Sequence, residues 1–486
     1  MRILLTAAAA ALLCIAAGAQ TPAQRYIEGA SRRAPLSGSV IGVSVKDTAS
    51  HTLVSVNAAL RMVPASNLKL ITTGCALHAF GGGFRFTTGL GYTGRIRDGV
   101  LEGDLYIIGG GDPTLGGRDS VSVADSQMFR RWKAILENAG IRAVHGRIIG
   151  DGRAWEGGME NSSWTYDDIG TYYGTGSDAL CFYKNAIDFR VSASAENEPV
   201  NVEQTYPETP WMHFGNHSFT GPAGSGNSLY LFTTDLAPYS ELRGTFASDR
   251  RPKTEHFANK FGALTCAFYF RAFLRSSGIE VSGDYADIDR NGYIRTAGFV
   301  ATEPAAEPSA IGSWQGPELR RIVRETNVRS DNFYAESLFR LMGETASSVA
   351  VYDSCRVAEA EVLQGLGLNP SSIRIVDGSG LSRQNFITPD FFTDFLLAMR
   401  RSPAFGDFLN SLPIPGEGTL KGLFQSLPKN RVHMKSGSME GVICYSGYIL
   451  DESGRPEKVF SILVNNTLES PARIRAAVEG IISQLL

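Results

Sequence analysis

Cysteine is scarce in this chain, with six in 486 residues and no C-x-x-C pair, so neither a disulfide framework nor a paired-cysteine metal site is indicated. The seven histidines form no H-E-x-x-H motif. His213 and His217 stand four apart, but Gly215 and Asn216 between them argue against a helix that would aim both at one metal. No metal and no organic cofactor is expected. A basic excess is missing too: 46 Lys and Arg against 49 Asp and Glu leave a formal charge of −3, without the electrostatic footprint of a nucleic-acid-binding chain. Beyond the N-terminus there is no long hydrophobic run. There, Met1-Arg2 precede an apolar stretch that ends in the small-x-small triplet Ala17-Gly18-Ala19. The stretch is shorter than the ~20 residues of a membrane span. Residues 1–19 therefore read as a signal peptide, and the mature chain as exported and free of transmembrane segments. Leu12 and Leu13 before Cys14 do not fit a lipid attachment site. The other five cysteines are an odd number and read as small core residues.

What is present is length enough for two to four domains. The segment from Pro64 to Phe80 carries apolar residues at 68, 71 and 75 and stops at Gly81-Gly82-Gly83, which predicts a buried, capped helix. From residue 84 the pattern becomes β-like, with Asp98-Gly99 as a tight turn between two strands. A helix is expected near 123–139. The Pro/Ala-rich segment 301–310 reads as a linker, after which helical periodicity returns at 319–323 and 333–343. Thr388-Pro389 opens a further helix with Phe391, Phe395 and Met399 on one face. Three strand-like runs and an amphipathic helix close the chain.

Three short motifs can carry chemistry. Ser66 and Lys69 lie three apart at a helix start, on one face, close enough for a lysine amine to take the serine proton. That step needs a neutral lysine, which burial, a second cation and the positive helix end all favour. Ser-x-x-Lys alone is weak: Ser426 and Lys429 match it too, but Pro428 between them denies a helix face. Ser330-Asp331-Asn332 falls at a junction between helices. Its serine can relay a proton and its asparagine amide can hold a substrate backbone. Ser55-Val56-Asn57 and Ser225-Gly226-Asn227 share that pattern, and a plain helix N-cap is the structural alternative for Ser330. Lys435-Ser436-Gly437 is the single K-[ST]-G, on the first of the late strands. A cation and a hydroxyl side by side suit a terminal carboxylate, and the glycine would let a substrate backbone lie flat against the strand. A solvated strand lysine is the alternative. The ordered set of all three is far more specific than any one.

This trio is shared by penicillin-binding proteins and class A β-lactamases. Together with IGGGDPTL, YGTGSDAL, DGSGLSRQN, LPIPGEGTL and KSGSMEGV, it resembles the DacB-like D-alanyl-D-alanine carboxypeptidase/endopeptidase family, the class C low-molecular-mass penicillin-binding proteins, over nearly the whole mature chain. The resemblance implies an α+β fold: a transpeptidase-like domain, an antiparallel sheet flanked by helices, interrupted by two inserted β-rich domains. The expected boundaries are 20–86 with 305–486 for the catalytic domain, 87–112 with 196–304 for one insert and 113–195 for the second.

It further implies a periplasmic serine hydrolase that cleaves peptidoglycan peptides through an acyl-enzyme on Ser66 and is covalently inhibited by β-lactam antibiotics. Lys69 would be the general base. Ser330 and Lys435 would assist protonation of the departing amine, and the backbone N–H groups of Ser66 and Ser438 would form an oxyanion hole. Lys435, Ser436 and Ser438 would bind the substrate carboxylate and Asn332 its backbone, with Gly437 in the same edge and Arg383 as a candidate for a charged peptide side chain. Ser436 departs from the commoner threonine but keeps the hydroxyl. The chain is too long for a β-lactamase and shows no E-x-x-L-N-like segment for deacylation, so penicillin hydrolysis should be slow. A silent wall-binding scaffold is the other reading, and the intact motifs speak against it.

Overall fold

A computed structural model describes residues 20–346 and 350–486. The expected signal peptide, 1–19, lies outside the described residues. Among those residues, no helix is long and apolar enough to cross a membrane.

One five-stranded antiparallel sheet organises the part of the chain that carries the motifs. Its strands are β1 (Val40–Asp47), β2 (Thr52–Val56), β3 (Val432–Met439), β4 (Val442–Leu450) and β5 (Pro456–Asn465), in the order β2-β1-β5-β4-β3. Strand β4 is buried along its whole length, because both faces of the sheet are covered. On one face pack α1 (Pro22–Ser31) and the C-terminal helix, Pro471–Ser483, over Val43, Val45, Ile462 and Tyr445. On the other lie α2 (Lys69–Phe80), α3 (Leu319–Arg329), α4 (Asn332–Ala346), α5 (Tyr352–Gly365) and α6 (Pro389–Met399), whose core joins Leu70, Phe339, Phe395 and Leu463. Strand β3 is the sheet's edge, so one side of it has no strand partner.

The elements expected from periodicity form where they were placed. Thr388 caps α6 by accepting the N–H of Phe391, Pro389 fills its first turn, and Phe391, Phe395 and Met399 are buried. Asp98 (φ 52°) and Gly99 (φ 85°) make the tight turn, with Arg97 paired to Val100. The helix near 123–139 is Asp125–Asn138. Cys75, Cys181, Cys266, Cys355 and Cys444 are buried and unpaired.

Two expectations are corrected. The segment 301–310 is no linker: Ala301–Pro304 and Ser309–Glu318 are strands at the two opposite edges of a seven-stranded sheet. Ala301–Pro304 is exposed throughout, and at a sheet edge a proline costs no ladder hydrogen bond. The division between 113–195 and its flanks is also crossed by strand pairing. Ile148–Asp151 lies parallel between Leu105–Ile108 and Tyr285–Ile288, joining 85–151 and 280–318 in one body. A second set of strands within 186–258 forms two small sheets around Phe189, Phe246 and Phe257. Parallel pairing joins segments far apart in sequence, so local patterning gives no sign of it.

Candidate active site

The nucleophile candidate sits in a strained turn. Ser66 lies in a 3-10 segment, Ala65–Leu68, that feeds directly into α2, and no side chain caps this start. Ala65 has φ of 46°, an unfavourable value for a residue with a Cβ. A 3-10 turn eclipses residues three apart, and Lys69 Nζ stands 2.9 Å from Ser66 Oγ. The turn is held in place by polar ties to the sheet. Asn67 Nδ2 donates to Ser446 Oγ at 2.8 Å, and Asn465 both accepts the Val63 N–H (2.8 Å) and donates to the Val63 carbonyl (3.1 Å).

Lys69 is fully buried. Its ammonium donates to Ser66, to Asn332 Oδ1 at 2.7 Å and to the Ser379 carbonyl at 2.6 Å. Burial lowers it to about 8, against the opposing pull of Asp377, Glu336 and Asp331. Of the three causes expected for a weakened lysine, burial is the one found to lower Lys69.

Ser330 ends α3 in the left-handed conformation, φ 59°. It is not a helix N-cap. Asp331 takes that role, its Oδ1 accepting the N–H of Tyr334 at 3.0 Å, which leaves the Ser330 hydroxyl free to face β3. There Lys435 Nζ donates to Ser330 Oγ at 2.8 Å and to the Ser436 carbonyl at 2.6 Å. Lys435 is buried, not solvated, and burial, helped by the neighbouring Lys69, holds its ammonium well below the usual lysine range.

Ser436 Oγ donates to Thr419 Oγ1 at 2.7 Å, and Ser438 is exposed on the same edge. A cavity of about 300 Å³ brings Ser66, Ser330, Ser436, Gly437 and Ser438 together. Gly437 has a reason beyond the one expected. A Cβ there would meet Asn67 N and Pro64 O at 2.8 Å and Ser66 N at 3.0 Å, so the glycine makes room for the nucleophile turn. Arg383 stands apart from this cavity. It is exposed, and its Nη1 donates to the Glu440 carbonyl beyond the end of β3 at 3.2 Å.

Several site residues escaped the motif reading. Glu336, on the face of α4 one turn after Asn332, accepts the N–H groups of Gly378 (3.1 Å) and Ser379 (2.7 Å) and so sets the carbonyl that receives Lys69. Asp377 accepts from Gly380 N, Ser382 N and Trp164 Nε1 and shapes the DGSG loop. Lys184 pairs with both Asp119 and Asp331, and the Tyr173 carbonyl accepts Asn332 Nδ2 at 2.9 Å. The DGSG loop was visible as a motif and Tyr173 opens the YGTGSDAL segment, but the partners 119 and 184 lie in inserted sequence with no signature of their own.

Comparison with known proteins identifies the family of the chain. A family model described as the D-Ala-D-Ala carboxypeptidase 3 (S13) family matches residues 24–485. The D-alanyl-D-alanine carboxypeptidase of Actinomadura sp. (strain R39) is 30% identical over 452 residues, 90% of this chain and 79% of that protein. The D-alanyl-D-alanine carboxypeptidase DacB of Haemophilus influenzae is 23% identical, over 93% of this chain and 91% of its own. The crystal structure of penicillin binding protein 4 (dacB) from Haemophilus influenzae superposes with a TM-score of 0.80 at 23% identity, covering 94% of this chain and 99% of that one, and shares the α+β penicillin-binding fold. The same protein is also known complexed with a β-lactam (TM-score 0.73, 22% identity, 94% of this chain and 99% of that one). With the family model spanning almost the entire described chain, this protein belongs to the D-Ala-D-Ala carboxypeptidase 3 (S13) family.

Proposed function

We infer that this chain is a serine-type D-alanyl-D-alanine carboxypeptidase and/or endopeptidase of peptidoglycan stem peptides, working through an acyl-enzyme on Ser66. The observation that carries this is one convergence: Lys69 Nζ on Ser66 Oγ, and Lys435 Nζ on Ser330 Oγ, around one cavity at the free edge of β3. Neutral Lys69 accepts the Ser66 proton as Oγ attacks the carbonyl carbon of the penultimate D-alanine. The oxyanion forms near the backbone N–H groups of Ser66 and Ser438, each such donor contributing about 2.7–4 kcal/mol. Collapse breaks the C–N bond, and the amine leaves with a proton passed through Ser330 and Lys435. Water then attacks the ester carbonyl and gives up a proton that resets the Ser330–Lys435 pair, and as the C–O bond to Ser66 breaks, Oγ takes back its proton from Lys69.

Ser436 and Ser438 receive the terminal carboxylate. Asn332, already bound to Lys69 and Tyr173, keeps one amide hydrogen for the substrate backbone. Arg383, exposed at the far end of the edge, is assigned to a charged side chain of the stem peptide. A β-lactam carbonyl would enter by the same attack and acylate Ser66. The proposed activity on the wall and the N-terminal export pattern support a periplasmic location for the mature enzyme. We read the inserted sequence as two bodies, 85–151 with 280–318, and 186–258, on the strength of their strand pairing. The test is incubation with purified cross-linked muropeptides and mass spectrometry of the products. Loss of D-alanine or of cross-links by the wild type, abolished in Ser66→Ala, is expected; equal products from Ser66→Ala would refute the reading.

A further inference from the structure

The substrate proposed above ends in a carboxylate, yet the two lysines of the site are poor counter-charges for it. Lys69 spends its three donors on Ser66, Asn332 and Ser379, and Lys435 is turned to Ser330 and the Ser436 carbonyl. Burial weakens the ammonium of both. The wall of the cavity away from Ser66 holds a different cation. Thr419, Tyr445 and Arg475 complete its lining, and among the described residues no aspartate or glutamate lines it.

Arg475 projects from the C-terminal helix, Pro471–Ser483, which packs on the sheet face opposite α2. Among the described residues it makes no ion pair, and its buried Nε has no hydrogen-bond partner. Tyr445 stands directly across from Ser436 in the β3–β4 ladder, so both side chains share one face of the sheet. Arg475 lies close enough to the Tyr445 phenol for its charge to oppose the upward push of burial there. A guanidinium is charged at every working pH and offers a planar fork of donors that matches a carboxylate. A half-buried fork with an unused donor, in a cavity lined by hydroxyls, fits an anion that arrives from outside.

We propose that Arg475 is the counter-charge for the substrate's terminal carboxylate, completing a pocket with the hydroxyls of Ser436 and Ser438 and making the enzyme selective for peptides whose leaving residue carries a free carboxylate. This rests on the reading of Ser66 as the nucleophile of a D-alanyl peptidase. The residue acts in binding; it neither moves a proton nor touches the scissile bond.

The experiment compares a diacyl-L-lysyl-D-alanyl-D-alanine peptide with the same peptide ending in a carboxamide, for the wild type, Arg475→Gln and Arg475→Lys, measuring kcat and KM for each pair. The wild type should prefer the free acid. Arg475→Gln should raise KM for the acid by about 10- to 100-fold, the range of a charge-assisted contact, with kcat/KM for the amide unchanged. Arg475→Lys keeps the charge without the fork and should fall between, so it decides the matter should the glutamine variant fold poorly. If acid-over-amide preference is the same in all three proteins, the inference about Arg475 is overturned while the Ser66 reading stands. If the wild type cleaves neither peptide, the Ser66 reading fails and takes this inference with it.

Discussion

Lys184 Nζ lies 2.7 Å from a carboxylate oxygen of Asp331, the middle residue of the Ser-x-Asn motif, and 2.6 Å from Asp119. An ammonium from inserted sequence thus fixes the junction that aims Ser330 and Asn332. Burial pushes the Lys184 pKa down, but the two carboxylates outweigh it and raise it above the ordinary value. Burial likewise pushes Asp119 up, and Lys184 reverses this and holds it down to about 2.

Lys184→Met should therefore cost about 3–5 kcal/mol, since it leaves two largely buried carboxylates without their cation. Thermal unfolding would show a lower melting temperature, and kcat should fall with the loosened motif. The pH sign follows from the shifts. The raised lysine contributes fully at neutral pH, and its part is lost only as pH climbs past the ordinary lysine value. The depressed Asp119 contributes above about 4 and loses its part as pH falls toward about 2. A variant as stable and as active as the wild type would show the bridge to be idle.

The pH dependence of acylation should report Lys69. In the proposed mechanism its neutral form takes the Ser66 proton, so the rate of penicillin acylation should rise with pH through a midpoint near 8. Because the folded value is depressed, protonating Lys69 destabilises the fold. Its contribution to stability should grow between about 8 and the unfolded value near 10.4. Glu336→Gln removes a carboxylate that raises Lys69, so the acylation midpoint should move below that of the wild type as the rate drops through displacement of Ser379. A midpoint that moves upward would contradict this electrostatic assignment.

Penicillin should stay on the enzyme. The cavity beside Ser66 has no aspartate or glutamate to activate a water for deacylation, so fluorescent penicillin should label the protein stoichiometrically and be released slowly. Ser66→Ala should take no label. Fast turnover of nitrocefin is the outcome that excludes this.

The reactive groups were legible in sequence, and their supports were not. Ser66, Lys69, Ser330 and Lys435 stood out because their chemistry needs fixed types at fixed spacings, and the structure brings them together as two hydrogen-bonded pairs at one cavity. Asn67, Ser446 and Asn465 were invisible, since a lone polar residue in a buried run gives no hint that its partner lies hundreds of residues away. The same holds for Arg475, one of two arginines in an ordinary amphipathic helix. The inserted sheets were read locally as hairpins, whereas parallel ladders such as that between Leu105–Ile108 and Ile148–Asp151 join segments that hairpin logic cannot pair.

Ser436→Thr should be nearly silent. The hydroxyl that meets Thr419 at 2.7 Å is retained, and a β-branched residue suits a strand. Ser436→Ala removes the donor and should weaken substrate binding by about 0.5–1.5 kcal/mol, seen as a higher KM with kcat largely kept. A large fall in kcat instead would move Ser436 from binding into the chemical step.

Gly437→Ala should be far more damaging than its size suggests. If the glycine served only to admit substrate, a methyl group would raise KM and spare the acylation rate at saturation. The structure points the missing Cβ at the nucleophile turn instead, 2.8 Å from Asn67 N and 3.0 Å from Ser66 N. Those atoms are backbone, anchored through Asn67 to Ser446 and through Val63 to Asn465, so they cannot yield as a flexible side chain would. The turn must shift away from β3 and carry Ser66 with it, widening the gap between its N–H and that of Ser438 across the oxyanion. A misplacement on the order of 1 Å costs about 100-fold in rate. The saturated acylation rate of Gly437→Ala should fall by about that factor, and the melting temperature should fall with it, because the shift strains the ties of the turn to Ser446 and Asn465 and such overpacking costs about 1–3 kcal/mol. A variant that lost only affinity would restore the substrate-facing explanation of this glycine.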